Sequence, residues 1–412
     1  MSPKKILLVA HDVTLAHLGR PLQLAGYLHA AGHDVTLAAS SDSARFLYNF
    51  PGRTHTLAPT GKARFIENLA KGRPVFDFET LKRFAEEDEK LLAHYRPDVV
   101  IGDFRISLSA SARRQQVPYA TITNAYWSPD LAPRFIVPDL PMVRFLGVTV
   151  SQFLFDLARP AAFAHHCRPM NALRQHYGLP SLGSDLRRIY SDADLVLFSD
   201  AAEIYDVSNA PPGTHFIGPI GWSPDVPLPS WWSALKPELP LIYVTLGSSG
   251  DSRHLAPLIK RLATLDVQLV VASAGNVDLP PSENIFTADY LPGHLVAARA
   301  SVVVCNGGSP TSSQALAVGV PVLGIPGNLD QYLNMYFVEK TGAGLTLRNR
   351  ALNGPAPIEA VRRLLYEPGF KLAAGRVADV YRRYDTPQRL ETALAELTDH
   401  PAGNPRRHIP QP

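Results

Sequence analysis

The sequence predicts an α/β protein made of two Rossmann-like lobes with parallel sheets facing a shared cleft. Three observations support this prediction: short apolar runs are typical of buried strands, they alternate with helix-like segments, and a proline-rich stretch separates two such series. Alternating strands and helices imply parallel sheets, whose ligands bind at the carboxyl ends of the strands. We therefore expect the functional residues in the loops that follow the strands.

The first lobe opens with an apolar run over residues 4–10, which is typical of a buried strand. Residues 11–19 are predicted to form a loop. A helix is predicted from about Arg20 and Pro21 to Gly32, because proline suits a helix start and glycine suits the position after a helix end. Further strands of this lobe are predicted over residues 34–40, 97–103, 118–124 and 193–199.

Two other segments of the first lobe give weaker signals. The acidic run at residues 86–89 is interpreted as the solvated face of a helix. Residues 125–180 are rich in aromatic residues and prolines, and they predict irregular loops and helices instead of sheet.

A cluster of prolines between residues 209 and 240 predicts an extended connection. We interpret its Trp231 and Trp232 as side chains packed on a domain surface, with membrane or partner contact as the alternative. Strands of the second lobe are predicted within residues 239–249, 267–274, 284–291, 301–305 and 322–326. The predicted organisation is a first lobe over 1–208, a linker over 209–240, a second lobe over 241–385, and a helix end with a disordered tail over 386–412.

Composition excludes several classes of protein. A hydrophobic fraction of 46% and a charged fraction of 19% are typical of a globular chain, and a net charge of +3 is too small to indicate nucleic-acid binding. The two cysteines cannot form a disulfide framework. No apolar run has the length of a signal-peptide core or a membrane helix. We expect a cytoplasmic protein, monomeric or homodimeric, and leave peripheral membrane contact open.

A glycine-rich segment after the apolar run 301–305 predicts a strand, a tight turn and a helix. Gly307 and Gly308 allow a sharp turn, Ser309 suits the N-cap, and Pro310 suits the first helical position. A helix start of this kind presents free N–H groups and partial positive charge, which favour phosphate. An ordinary strand-to-helix turn is the alternative interpretation.

The residues that follow make this segment more specific. The pattern runs Asn306-Gly307-Gly308, Thr311, Gln314, Gly319-Val320-Pro321, Pro326, Asp330-Gln331 and Asn334. It resembles the signature of the nucleotide-sugar-dependent glycosyltransferases of the GT-B fold, specifically the UDP-glycosyltransferase and macrolide glycosyltransferase group. The upstream segments 245–249 and 289–294 resemble the donor loops of that family, and the N-terminal segment resembles its acceptor lobe.

The resemblance implies an inverting, metal-independent sugar transfer without a cofactor, in which a UDP-sugar or dTDP-sugar is a co-substrate. It implies that His17 is the base and Asp103 its partner. His11 is an alternative base, and Asp103 could instead cap the following helix. Two residues depart from the family pattern, since Asn306 stands for a histidine and Gln314 for a glutamate. The implied donor-binding residues are Ser248, Tyr290, Asn306, Gly307, Gly308, Ser309, Thr311, Gln314, Asp330 and Gln331.

The sequence indicates the acceptor less clearly than the donor. Aromatic residues of the first lobe, including Phe78, Tyr126 and Trp127, suggest an apolar small-molecule or lipid acceptor, although ordinary core packing explains them equally well. Two rival functions remain: a catalytically degenerate nucleotide-binding helper of a partner glycosyltransferase, and a sugar-nucleotide epimerase. The D-x-D sequence at residues 192–194 resembles a metal motif, but its place before a buried strand favours a turn.

Overall fold

A computed structural model describes residues 2–131, 133–205, 207, 214–247, 252–275 and 282–399 of the 412-residue chain. Within them the chain forms two compact units. The first is drawn from Met1–Ala132, Leu157–Ile220 and Tyr384–Pro412, and the second from Pro133–Asp156 and Gly221–Arg383.

The first unit is built on a parallel sheet in which every pairing runs in the same direction. Its strands are β1 (Lys5–Ala10), β2 (Asp34–Ser40), β3 (Arg53–Leu57), β4 (Val99–Asp103), β5 (Tyr119–Thr123), β6 (Leu195–Phe198) and β7 (His215–Phe216). Their spatial order is β3-β2-β1-β4-β5-β6-β7. The helices that begin in the first half of the chain are α1 (Leu15–Ala30), α2 (Lys62–Ala70), α3 (Phe78–Tyr95), α4 (Leu108–Arg114), α5 (Pro141–His176) and α6 (Leu186–Tyr190).

The second unit has its own parallel sheet, in the order β10-β9-β8-β11-β12-β13. Its strands are β8 (Leu241–Thr245), β9 (Gln268–Ala272), β10 (Ile285–Ala288), β11 (Val302–Cys305), β12 (Val322–Gly324) and β13 (Gly344–Thr346). Its helices are α7 (Leu255–Leu262), α8 (Gly293–Arg299), α9 (Ser309–Ala317), α10 (Leu329–Lys340), α11 (Ala356–Tyr366) and α12 (Pro368–Arg382). The parallel α/β class predicted from the sequence is thus confirmed.

Both sheets are covered by apolar side chains, as expected for parallel strands. In the first unit, Leu24 and Leu28 of α1 share one buried cluster with Leu8 of β1. A last helix, α13 (Thr386–Asp399), adds Leu390 to that cluster, so the C-terminal helix packs on the first sheet. No helix among the described residues is long and apolar enough to span a bilayer.

Helix α1 begins earlier than predicted. It starts at Leu15, and Pro21 lies inside it, so residues 15–19 are helical and do not continue the loop. The prediction used proline as a marker of a helix start, but the buried positions Leu18, Ala25 and Leu28 keep a helical spacing on both sides of Pro21. As a result, His17 and Arg20 are three residues apart on one helix and point in similar directions.

Helix α5 accounts for most of residues 125–180, where loops and helices instead of sheet are predicted. It spans 36 residues and is interrupted at Gly147, whose φ of 71° is not helical.

The predicted linker contains Trp231, whose indole N–H donates to the carbonyl of Thr287 at 3.1 Å and whose ring lies 5.4 Å from that of Phe286. Trp231 therefore packs on the second unit, as the surface interpretation predicts.

The interpretation of residues 86–89 as a solvated face is wrong for one of them. Asp88 is completely buried on α3 and accepts a hydrogen bond of 2.8 Å from Nε of Arg105, which is itself 1% exposed. Glu87 accepts a second bond from the same guanidinium at 2.7 Å. Burial raises the pKa of Asp88 above its ordinary value, although the charge of Arg105 opposes the shift. The sequence around Asp88 could not reveal a partner 17 residues away.

We predict that Arg105→Ala lowers the free energy of unfolding by about 3–5 kcal/mol, because it leaves a buried carboxylate without its cation. Urea denaturation measures the change. Arg114→Ala is the matched control, since Arg114 pairs with Glu89 of the same acidic run at 3.3 Å but is 59% exposed. The control should change the free energy by less than about 1 kcal/mol. Equal midpoints for the two variants would contradict this account of the buried pair.

Candidate active site

A polar cluster at the carboxyl ends of the first sheet contains both predicted catalytic residues. Asp103 is the last residue of β4 and is completely buried. His17 lies in the first turn of α1; its side chain is 20% exposed, and its Nδ1 is 2.7 Å from Oδ1 of Asp103. When Nδ1–H donates to the carboxylate, Nε2 remains unprotonated and can accept a proton. The structure thus brings these two residues together in the arrangement of a base and an orienting carboxylate.

Arg20 completes this cluster, although the sequence analysis does not single it out. Its Nε donates to Oδ2 of Asp103 at 2.7 Å, and its Nη2 donates to Oδ1 at 2.9 Å. Its Nη1 donates to Oδ1 of Asn124 at 2.8 Å and to Oγ of Ser199 at 3.2 Å. Arg20 therefore links the strand ends of β4, β5 and β6 to α1. A helix prediction that included residue 17 would have placed Arg20 one turn from it.

The charge state of Asp103 follows from two opposing effects. Burial by itself would raise the pKa of its carboxyl group, but the positive charge of Arg20, aided by interactions with His17, holds that pKa below the ordinary value. Asp103 is therefore ionised at neutral pH and acts as a hydrogen-bond acceptor. The two-pronged contact with Arg20 also fixes the plane of the carboxylate toward His17.

Phe104 follows Asp103 directly and holds the other side of the imidazole. Its ring is stacked on that of His17, with centroids 4.6 Å apart and planes 16° from parallel. Its backbone has a φ of 55°, a left-handed conformation that is uncommon for a side chain of this size. This unusual turn directs the Phe104 ring back over α1, so Asp103 fixes one edge of the imidazole and Phe104 covers one face.

His11, the alternative base, has a different environment. It is completely buried, with its ring 4.9 Å from those of both Phe76 and Phe84. Within the described residues, neither ring nitrogen has a hydrogen-bond partner. Burial, with added repulsion from Arg105, holds the pKa of His11 well below its ordinary value. His11 is therefore neutral and enclosed, whereas His17 is partly open to solvent.

The predicted acceptor residues have three different placements. Trp127 contacts Tyr190 edge to face at 5.0 Å, and Tyr190 lies 5.4 Å from Phe104, so an aromatic wall leads to His17. Tyr126 is completely buried. Phe78 begins α3 and contacts His176 at 6.0 Å. A small apolar pocket adjoins this wall, and its lining includes Tyr190 together with Phe76, Leu81, Ile106, Met170 and Ile189.

In the second unit, the predicted phosphate turn follows β11. Helix α9 begins at Ser309, one residue earlier than predicted, with Gly308 at the N-cap and Pro310 in the first turn. Gly308 provides no side chain to cap the helix. The amide of Gly308 donates to Oδ1 of Asn306 at 3.1 Å. Asn306, which replaces the family histidine, therefore closes the turn through its side-chain carbonyl.

Gly307 shows why this turn requires glycine. Its φ is 75°, and a β-carbon at this position would lie 2.7 Å from Cγ of Met335. The carbonyl of Gly307 accepts a hydrogen bond from Nδ2 of Asn334 at 2.8 Å. The same nitrogen lies 2.9 Å from Oγ of Ser312. Asn334 therefore braces the turn from α10, a structural role that the motif alone did not identify.

Gln314 and Tyr290 are two further predicted donor-binding residues of the second unit. Gln314, which replaces the family glutamate, is half-buried on α9 and donates its side-chain amide to the carbonyl of Trp222. A β-carbon on Gly293 would approach Oε1 of Gln314 to 2.8 Å, so this glycine leaves room for the glutamine. Tyr290 is half-buried just after β10.

The remaining predicted donor residues lie at the start of α9 and α10, or outside the described residues. Thr311 is half-buried in the first turn of α9, and Asp330 is half-buried in the first turn of α10. Gln331 is 3% exposed and accepts a hydrogen bond from the amide of Gly327 at 2.7 Å. Ser248 lies outside the described residues.

The D-x-D sequence has a structural explanation. Asp192 accepts hydrogen bonds from Arg113 at 2.7 Å and from Arg174 at 2.6 Å, so its charge is already balanced. In the part of the chain that the structure describes, no three His, Cys, Asp or Glu side chains are grouped so that they could hold a metal ion.

Comparison with known proteins identifies the family. Residues 256–397 match the model described as "Erythromycin biosynthesis protein CIII-like, C-terminal domain". A PGL/p-HBAD biosynthesis glycosyltransferase of Mycobacterium tuberculosis (strain ATCC 25618 / H37Rv) is 43% identical over 394 residues, covering 95% of this chain and 92% of the relative. A PGL/p-HBAD biosynthesis rhamnosyltransferase of Mycobacterium bovis (strain BCG / Pasteur 1173P2) is 42% identical over 400 residues, covering 96% and 89%.

Solved structures agree with this assignment at the level of the fold. The glycosyltransferase of kitacinnamycin superposes with a TM-score of 0.71 at 20% identity, covering 96% of this chain and 100% of that one. The spinosyn rhamnosyltransferase complexed with thymidine diphosphate gives 0.68 at 18% identity, covering 95% and 99%. The chain belongs to the nucleotide-sugar-dependent glycosyltransferases of the GT-B fold, the group that contains the macrolide glycosyltransferases, and it is a glycosyltransferase.

Proposed function

We propose that this enzyme transfers a sugar from a nucleoside-diphosphate sugar to a hydroxyl group of an apolar acceptor, with inversion at the anomeric carbon. The observation that carries the proposal is the pairing of His17 with the ionised, buried Asp103 at 2.7 Å. This pairing leaves one imidazole nitrogen available as a base and stabilises the charge that the ring acquires.

The proposed reaction is a single displacement. The acceptor oxygen forms a bond to the anomeric carbon while the bond from that carbon to the phosphate oxygen breaks. Nε2 of His17 takes the hydroxyl proton, and the nucleoside diphosphate leaves with the bonding electrons. Asp103 stabilises the resulting imidazolium through Nδ1–H, and Phe104 keeps the ring plane fixed during the transfer.

The donor's diphosphate is assigned to the start of α9. The first helical amides and the helix dipole favour negative charge, and the Thr311 hydroxyl is a further hydrogen-bond donor. Asp330 and Gln331 are assigned to the sugar hydroxyls, and Tyr290 to the nucleotide base. A deoxysugar carried by thymidine diphosphate is the first donor to test, because one close relative is named a rhamnosyltransferase and a structural neighbour is complexed with thymidine diphosphate.

The acceptor is assigned to the aromatic wall of the first unit. Phe104, Tyr190 and Trp127 form successive ring contacts at 4.6–5.4 Å starting from His17, so a flat apolar acceptor would find stacking partners beside the base. A phenolic or lipid-linked phenolic hydroxyl suits this surface. The curated relatives are named for PGL/p-HBAD biosynthesis, which makes the acceptors of that route the first to assay.

A panel of UDP-sugars and dTDP-sugars tests the proposal, first by thermal shift and then by product analysis with and without a phenolic acceptor. Binding should raise the apparent melting temperature in proportion to RT ln(1 + [L]/Kd). Transfer with inverted configuration supports the proposal. Conversion of the donor sugar without acceptor would indicate an epimerase instead, and binding without any conversion would indicate the helper role.

Replacement of His17 by Ala should lower kcat roughly 100-fold to 10,000-fold, because the acceptor hydroxyl then loses its base. Nucleotide affinity, measured by calorimetry, should stay unchanged. His29→Ala is the control, since His29 lies in the last turn of the same helix, where its ring is 6.4 Å from that of Phe50. Full turnover by the His17 variant would exclude it as the base.

Phe104→Leu should lower kcat about tenfold while leaving the donor KM unchanged, because an aliphatic side chain does not hold the imidazole plane. Phe104→Tyr keeps the flat ring and should retain most of the turnover. Steady-state kinetics of the three proteins, at a saturating acceptor concentration, make the comparison. Equal kcat values for the leucine and tyrosine variants would show that stacking on His17 is unimportant.

The Asn306 turn predicts a graded effect on donor binding. Asn306→Asp keeps the side-chain acceptor for the Gly308 amide but adds negative charge beside the proposed diphosphate, so Kd for UDP and dTDP should rise about tenfold or more. Asn306→Ala loses the turn contact without adding charge and should have a smaller effect. Calorimetric titration measures both. An aspartate variant that binds as tightly as the parent would place the diphosphate elsewhere.

A further inference from the structure

One surface of helix α5 is apolar where a helix of a globular protein is normally polar. Phe145 is 85% exposed, Phe153 is 69% exposed and Leu157 is 73% exposed. Seven of the fifteen large hydrophobic side chains that are exposed among the described residues lie between positions 140 and 157. They are Leu140, Phe145, Leu146, Val150, Phe153, Leu154 and Leu157, and we call the six on α5 the exposed apolar face.

The exposed apolar face is distinct from the side of α5 that packs against the protein. Phe163, Cys167 and Met170 recur at helical spacing and are each less than 9% exposed. Val150, Phe153, Leu154 and Leu157 recur at spacings of three and four residues on another side of the same helix. The helix is therefore apolar on two sides, and the described residues cover only one of them. Exposed apolar side chains that recur at this spacing form a patch, which indicates a binding surface.

The charges beside the face indicate what covers it. On α5 the exposed ionisable side chains with permanent charge are Arg144, Asp156 and Arg168, and Asp156 already accepts a hydrogen bond from Gln152 at 3.0 Å. Arg134, just before the helix, is also exposed. Three of these four charged side chains are therefore cationic, which is complementary to anionic lipid headgroups.

A second copy of the chain fits this surface less well. A two-fold interface places the same patch on both partners, so each copy would bring Arg134, Arg144 and Arg168 but only one exposed carboxylate, Asp156, to the contact. A lipid surface offers anionic groups at the level of the arginines and acyl chains below them for phenylalanine and leucine. We infer that the exposed apolar face of α5 docks the enzyme on the surface of an anionic membrane.

The docking is peripheral, and it is separate from the chemistry of sugar transfer. The face contains none of the residues assigned to the donor, to the acceptor or to proton transfer. Membrane binding can therefore be measured on the full chain without any substrate. Its test is independent of the test of the proposed reaction.

The experiment is flotation of the purified protein with vesicles of phosphatidylcholine, with and without phosphatidylglycerol, at low and high salt. The parent should float with the anionic vesicles, and salt should weaken its binding. The triple variant Phe145→Ser, Phe153→Ser, Leu157→Ser should bind roughly tenfold more weakly or worse, because three apolar side chains are lost from the lipid contact. Arg144→Glu with Arg168→Glu should abolish the preference for anionic lipid.

A matched control separates this face from general surface hydrophobicity. Tyr48, Tyr366 and Leu372 are 90%, 68% and 64% exposed, so their triple serine variant removes comparable apolar surface elsewhere and should float like the parent. Both serine variants should keep full turnover with a water-soluble phenolic acceptor. Flotation of the α5 variant at the parent's level would overturn the inference. So would light scattering that shows a dimer in the parent and a monomer in the α5 variant, since the face would then cover a second copy.

Discussion

The buried negative charge of Asp103 is the constraint on which the first unit's site depends. An unpaired carboxylate in this position would be very costly, so its partners must come from other parts of the chain. Arg20 provides the charge, and it can do so only because α1 begins at Leu15 and brings residues 17 and 20 over the end of β4. The interactions that balance the buried charge of Asp103 therefore also position His17, the proposed base.

The network extends outward from that carboxylate through Arg20 and Asn124 to Asp200. Arg20 reaches Asn124, whose amide lies 3.2 Å from Asp200. Asp200 is buried, and its pKa is raised above the ordinary value by that burial despite several hydrogen bonds. Asp103 accepts two hydrogen bonds from Arg20 and has its pKa held below the ordinary value, so the pKa values of these two buried acids are shifted in opposite directions.

The sequence predicts the parts of the fold that depend on local pattern. The buried strands, their parallel arrangement and the turn at Gly307 follow from apolar runs and glycine chemistry. Local pattern does not predict the length of α1, the burial of Asp88 or the part played by Arg20, because each depends on partners distant in the chain. The sequence pattern also does not predict the left-handed backbone of Phe104, since phenylalanine rarely adopts this conformation. Locally unfavourable features of this kind concentrate at functional sites, where the surrounding structure enforces them.

The aromatic residues of the first half of the chain show why composition alone could not locate the acceptor. Some are core, as the complete burial of Tyr126 shows; some form the wall beside His17; others, such as Phe145 and Phe153, face solvent on α5. The three groups differ only in exposure and neighbours. An acceptor whose hydroxyl is attached to a long apolar chain partitions into bilayers, so its concentration near a membrane far exceeds that in water. An enzyme that uses such an acceptor gains turnover by residing at that surface, so the proposed acceptor class and the inferred membrane docking are consistent with each other.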